Sequence, residues 1–321
     1  MTLHPRIKAA LMILMTAVLF AVLFRQIPFG KVMAVLRGAD LGQLTLALLL
    51  TVLLPLFAAI RWRLILQLLG YSISLRTAFD LIMAAWPVSS ITPSKSGDLI
   101  KAYYLKDRVP VGLTIGTVLV ERAVDVLVLL LFSVAGAALF GWRQILWISG
   151  GLFCAGTLGL ILLVTTGDRW PLPAKLRPKI SDLLQAFKVL ASHPAALILV
   201  VVYTVVKWFV SIFQTYLCFI ALRHPVTLAQ TAGALPLAIF VGLFPITLSG
   251  MGTRDGALVF LLSAYAPAEV ILGVGLLYTL FAYWVPSLAG LPFLRRALPE
   301  GRSVLTKTAM EMKQKDLIAE D

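Results

Sequence analysis

Charge is scarce in this sequence: 13% of its 321 residues are Asp, Glu, Lys or Arg, whereas 60% are hydrophobic and the mean hydropathy is +0.94. So few charges cannot clothe a folded core in a solvated surface, which excludes an ordinary soluble domain and makes lipid the expected solvent. Cysteine is scarcer still. Cys154 and Cys218 both lie in apolar runs, where they read as small hydrophobes and not as a disulfide framework. The three histidines fall at helix ends or near the amino terminus, so neither a metal site nor histidine-based catalysis is expected. No cofactor is expected: Gly250-Met251-Gly252 lacks the spacing and the preceding strand of a dinucleotide fingerprint. Gly273-Val274-Gly275 fits close helix packing instead.

The charge that is present is one-sided, with 28 Lys+Arg against 15 Asp+Glu. In so apolar a chain this excess reads as the positive-inside bias of membrane proteins and not as a nucleic-acid surface. Apolar runs occupy 9–24, 41–60, 111–140, 144–166, 194–222 and 269–294, and about 20 such residues cross the hydrocarbon as a helix. The first run follows His4, Arg6 and Lys8 but has no small-x-small cleavage site, so it reads as a retained helix. Asp40 is placed to cap the second run, and Arg61-Trp62-Arg63 at its end reads as an interfacial anchor. The hydrophilic connection 167–193 includes an amphipathic stretch, 180–190, suited to the membrane surface.

Two stretches do not fit a simple crossing. The first, 77–105, meets Pro87 and breaks at Ser89-Ser90-Ile91-Thr92-Pro93-Ser94-Lys95-Ser96-Gly97-Asp98. The second, 227–266, opens with Thr227 and Gln230 in capping-box spacing, meets Pro236 and breaks between Pro245 and Gly256. Each reads as helix, polar break, short helix. At membrane depth such a break is tolerated only where protein or a wet cavity satisfies its backbone. The expected fold is therefore all-α: a polytopic integral membrane protein with about six spanning helices and two re-entrant broken-helix pairs. Residues 1–294 form one transmembrane domain whose halves, about 1–140 and 143–294, are inverted repeats, and 295–321 is a polar cytoplasmic tail. Both termini and the 167–193 connection are expected in the cytoplasm.

Glu121, Arg122 and Asp125 lie deep in the 111–140 helix. Glu121 and Asp125 share a face, Arg122 reaches Asp125 at i, i+3, and Lys207 is the expected partner from another helix. Near the breaks, Lys95, Asp98, Lys101, Ser249, Arg254 and Asp255 complete the candidate substrate-binding set. The sequence spacing offers two local ion pairs, Asp98 with Lys101 and Arg254 with Asp255. Helix N–H groups at the breaks, with Lys101 and Arg254, suit a phosphate.

The segments RWRLILQLLG, TPSKSGDLIKAYYLKDR, VERAVDVLVLL and FPITLSGMGTRDGALVFLL, in this order, resemble the successive signatures of the lysylphosphatidylglycerol synthase transmembrane, or flippase-like, family. The resemblance runs from the first helix to about Leu294. Asp98 and Lys101 stand where the family usually has Glu and Arg, and Arg254-Asp255 where it has Arg-Glu. No stretch reads as the soluble aminoacyl-transfer domain of two-part members, so the resemblance implies lipid movement without synthesis and no enzymatic activity. The implied partner is a membrane lipid: an anionic phospholipid, a glycolipid or a polyprenyl-phosphate-linked lipid of the inner membrane. The alternative is a non-transporting partner of a glycosyltransferase or lipid-modifying enzyme.

Overall fold

The computed structural model describes residues 5–92, 97–169, 177–224, 226–244 and 246–295, with side chains from residue 11 onward except at 168 and 177–179. Among these the fold is all-helical, with no strand. Helix α1 (Pro5–Gln26) turns through 84° at Pro28 into α2 (Phe29–Arg37). Val32 of α2 is buried with Ile27 and Leu272. Asp40 then caps α3 (Leu41–Leu50) as expected, its Oδ1 accepting from the N–H groups of Gly42 and Gln43 at 2.8 and 3.2 Å. After a turn at Thr51, the same apolar rod continues as α4 (Leu53–Leu68).

The first broken pair is α5 (Leu75–Ile91) and α6 (Ile100–Leu105), joined in part by a tight turn at 97–99. Next come the central α7 (Val111–Leu139), then α8 (Arg143–Thr166) and α9 (Arg177–Ser192). Helix α10 (Pro194–Ala221) precedes the second broken pair, α11 (Leu228–Gly242) and α12 (Thr253–Leu262). The Thr227–Gln230 capping box is formed. Helix α13 (Ala268–Thr279) continues through a π-helical turn, Leu280–Trp284, into an apolar helix that reaches Arg295. Leu41–Leu68, Arg143–Thr166, Pro194–Ala221 and Ala268–Arg295 are long and apolar enough to cross a membrane, and the bent α1–α2 pair passes the same test as a unit.

Both breaks double the chain back on itself through a glycine. A Cβ on Gly97 would lie 2.4 Å from the Ser89 nitrogen, and one on Gly250 would lie 2.7 Å from the Gly242 carbonyl oxygen. Gly250 also has φ +74°, so a side chain there is both crowded and strained. Pro87 stays inside α5, where its ring removes the bond to the carbonyl of Met83. Gly290 packs on that point: a Cβ there would meet the Met83 oxygen at 2.3 Å.

Helix α7 packs against α4, α6, α8, α9, α10 and α11. Its contact with α11 is backbone on backbone, since a Cβ on Gly136 would lie 2.0 Å from the Gly233 Cα. Gly136→Val should therefore push α7 and α11 apart and cost about 1–3 kcal/mol or more. A thermal-unfolding midpoint in detergent within error of wild type would contradict this packing. Helix α9 departs from a simple surface helix: Leu184, Ala186 and Leu190 are buried, and Gly116 of α7 abuts Leu183 and Ala186.

Candidate functional site

Charged side chains from four elements converge on α7. Glu121 and Asp125 are both buried, and Arg61 of α4 lies between them with 1% exposure. Its Nη1 donates to Asp125 Oδ1 at 2.7 Å and to Thr204 Oγ1 at 2.8 Å, while Nη2 meets Glu121 Oε1 at 3.1 Å. One guanidinium thus spans two carboxylates, a geometry that a lysine cannot reproduce. The interfacial-anchor reading of Arg61 is overturned. The apolar run resumes after it with Leu64, Ile65 and Leu66, so Arg61 is inside the helix and faces α7. Trp62 is likewise buried, donating from Nε1 to Thr117 Oγ1 at 3.0 Å.

Lys101 of α6 is paired with Glu121 Oε2 at 3.1 Å and stands over the Trp62 ring at 4.9 Å. The sequence-adjacent Asp98–Lys101 pair does not form. Lys101 is drawn to Glu121 of α7, while Asp98, in the 3₁₀ turn that runs into α6, faces other partners. Its carboxylate accepts instead from Arg122 and, at 2.6 Å, from the Ser89 hydroxyl. Arg122 also approaches Asp125 Oδ2 at 3.5 Å, as the i, i+3 spacing led one to expect. Lys207 of α10 donates to Asp125 Oδ1 at 2.6 Å, in agreement with its expected role as partner, and Trp208 Nε1 donates to the same oxygen at 3.1 Å.

This cluster holds Arg61, Lys101, Arg122 and Lys207 against Asp98, Glu121 and Asp125, four basic side chains to three carboxylates among the described residues. A second cluster is balanced. Arg254 donates from Nε and Nη2 to Asp255 Oδ1 at 3.0 and 2.5 Å, and from Nη2 to Thr279 Oγ1 at 2.6 Å. Asp255 also accepts from the Gly252 N–H at 3.0 Å, which holds the start of α12. Tyr278 lies under the Arg254 guanidinium at 4.4 Å. The expected Arg254–Asp255 pair is therefore present, with 1% exposure at each residue.

The two breaks touch. Ser249, buried and at φ +51°, donates its hydroxyl to the Ser90 carbonyl, and the Ser287 hydroxyl meets Ser90 Oγ at 2.8 Å. A cavity of about 80 Å³ lies on one side, lined by Arg61, Asp98, Lys101, Glu121 and Lys207. A smaller one, about 30 Å³, is lined by Asp125, Ser249 and Arg254. Arg122, Trp208 and Tyr283 line both and form the wall between them. Arg122 Nε and Arg254 Nη1 are buried donors without a partner among the described residues. Such orphans are costly in low dielectric and mark where an acceptor or water would be held.

Of the candidate residues, Asp98, Lys101, Glu121, Arg122, Asp125 and Lys207 come together, while Ser249, Arg254 and Asp255 form the neighbouring group. Lys101 and Arg254 line different cavities. Lys95 lies outside the described residues, as do Pro245 and the tail after Arg295. Arg61, Ser89, Ser90, Trp208, Tyr278 and Tyr283 join the site without being in the candidate set read from sequence. Among the described residues no group of three or more His, Cys, Asp or Glu side chains is arranged to hold a metal ion.

Fold and site together define an α-helical integral membrane protein with a charged interior. The chain belongs to the family described as the lysylphosphatidylglycerol synthase TM region, whose model matches residues 8–290. It is similar to a UPF0104 membrane protein of Methanocaldococcus jannaschii, 25% identical over 312 residues covering 88% of this chain and 93% of the relative. A UPF0104 membrane protein of Methanothermobacter thermautotrophicus is 21% identical over 91% of this chain and 97% of its own length. One from Archaeoglobus fulgidus is 25% identical over 81% and 88%.

Proposed function

We propose that this protein is a lipid translocase of the inner membrane, carrying the polar headgroup of an anionic or polyprenyl-linked lipid between leaflets while the chains stay in lipid. The observation that carries this reading is the pair of small polar cavities separated by Arg122, Trp208 and Tyr283 at the point where the two breaks meet. Charged groups inside a membrane are expensive and are kept where they face protein or a substrate path. The order of long helix, broken pair and long helix occurs twice, which suits inverted halves that expose the site alternately.

The four basic side chains gathered in the larger cluster suit a phosphate. In this reading a headgroup phosphate enters the larger cavity beside Lys101 and Lys207, exchanges contacts with Arg122, and reaches the unpartnered Nη1 of Arg254. No bond is made or broken. The carboxylates Glu121, Asp98 and Asp255 hold the cations in place between passages.

Two charge-deletion pairs test this. Lys101→Gln and Arg254→Gln should each slow lipid transfer about 10- to 100-fold, the value of one charge-assisted contact. Arg254→Gln with Asp255→Asn removes both charges of a pair and should regain stability, and Lys101→Gln with Glu121→Gln should regain it in part, since Arg61 then keeps Asp125 alone; neither should regain transfer. Recovery of transfer in both doubles would assign these cations a structural role and end the headgroup reading.

A further inference from the structure

On the opposite side of α7 from the charges lies a groove of about 510 Å³ between α7, α8, α9 and α10. Val120, Val124 and Leu131 of α7 form one wall, Phe153 and Leu160 of α8 the other, and Leu190 of α9 closes one end. Its only polar side chains are Thr157 and Thr165, and the Thr165 hydroxyl is turned back to the Ile161 carbonyl at 2.8 Å. Thr157 Oγ1 has no partner among the described residues, but one hydroxyl is short of the two to four polar partners that hold a water, and leaving the space empty would strip its lining of contact atoms. In a bilayer the available filler is hydrocarbon.

The dimensions point to one chain from one leaflet. From Val120 to Leu131 along α7, or Phe153 to Thr165 along α8, the groove is about 16–18 Å long at 1.5 Å per residue. That is close to half of a hydrocarbon core about 30 Å thick. A helix from a second copy would be expected to continue through the full thickness, but this groove is capped at one end by α9. At the same end Gly167 packs on Leu184, and exposed Arg169 follows α8. A basic side chain at the closed end and hydrocarbon along the length match an anionic lipid seated with its headgroup toward α9.

We propose that this groove is a binding site for a single membrane lipid, which keeps one chain between α7 and α8 and its headgroup at the α9 end. Contacts from several helices distinguish this chain from annular lipid, which touches one surface and exchanges freely. The site is separate from the charged cavities and does not depend on transport.

Native mass spectrometry of the full chain, delipidated in detergent and titrated with dioleoylphosphatidylglycerol, tests the proposal. Wild type should retain one lipid through delipidation. Ala123→Trp, which fills the groove, should weaken retention at least about tenfold, whereas Leu139→Trp, on the exposed far end of α7, should not. Should Ala123→Trp fail to fold, Thr157→Phe fills the groove from α8 and carries the same expectation. Arg169→Ala should weaken retention of phosphatidylglycerol more than that of uncharged diacylglycerol. Equal retention in the filled variants, no retained lipid in wild type, equal losses of the two lipids in Arg169→Ala, or a dimer cross-linked through Leu160 in place of the lipid would each overturn it.

Discussion

Arg61→Met should destabilise the protein by about 3–5 kcal/mol, the largest effect expected of any single charge deletion in the molecule. The change removes the one side chain among the described residues that bonds both Glu121 and Asp125, and it leaves the Thr204 hydroxyl without that donor. Both carboxylates are buried, so neither can recover its solvation by turning to water. Arg61→Lys should recover only part of the loss, because one ammonium cannot span both acids as the guanidinium does. Lys207→Met gives the contrast. Asp125 would still be held by Arg61, Arg122 and Trp208, so about 1–2 kcal/mol is expected, less than a sequence-based pairing of Lys207 alone with the acids would imply. Thermal or denaturant unfolding in one detergent measures all three. A Lys207→Met loss as large as that of Arg61→Met would show that the network is organised around Lys207 instead.

Arg122→Gln should leave folding nearly intact but reduce lipid transfer about 10- to 100-fold. The Arg122 side chain is 31% exposed, the most accessible of the paired cations, and its removal leaves Asp125 with Arg61 and Lys207 and Asp98 with the Ser89 hydroxyl. Its position, not its contribution to stability, gives it importance: it lines both cavities and joins α7 to the first break. Arg122→Lys should be intermediate, keeping the charge but losing the two-pronged contact to Asp98 and Asp125. The check is the transfer rate normalised to monodisperse protein recovered. Unchanged transfer with Arg122→Gln would remove this residue from the path.

Much of this fold is written in local chemistry. The Asp40 cap, the Thr227–Gln230 capping box and the two broken pairs depend on residues close in sequence and are found, although α5 runs on through Ser89 and Ser90 to Ile91 before its break. The depth of Glu121, Arg122 and Asp125 follows from the length of α7, and the need for a cation there pointed to Lys207. Arg61 was misread for a physical reason: Arg-Trp-Arg at the end of an apolar run is also what an interfacial anchor looks like, and only the packing of α4 on α7 distinguishes the two. The Asp98–Lys101 pairing does not form because each side chain finds a partner on α7, Arg122 and Glu121, that no local spacing reveals. The cavities depend on Ser90, Tyr278 and Tyr283 meeting across nearly 200 positions of chain, as in the Ser287–Ser90 contact, and no periodicity encodes such contacts.

The central claim is that this charged interior moves lipid headgroups, and the most direct measurement is transfer by the purified chain itself. Vesicles of uniform composition, with and without the protein, would carry a trace of headgroup-labelled phosphatidylglycerol, glycolipid or polyprenyl phosphate in one leaflet, and an impermeant reductant would report how much remains outside. Protein-dependent equilibration of at least one of these lipids is expected, slowed by Arg122→Gln. Equal rates in protein-containing and protein-free vesicles for all three, with the protein shown to be folded and inserted, would contradict it and favour a non-transporting partner of a glycosyltransferase or lipid-modifying enzyme.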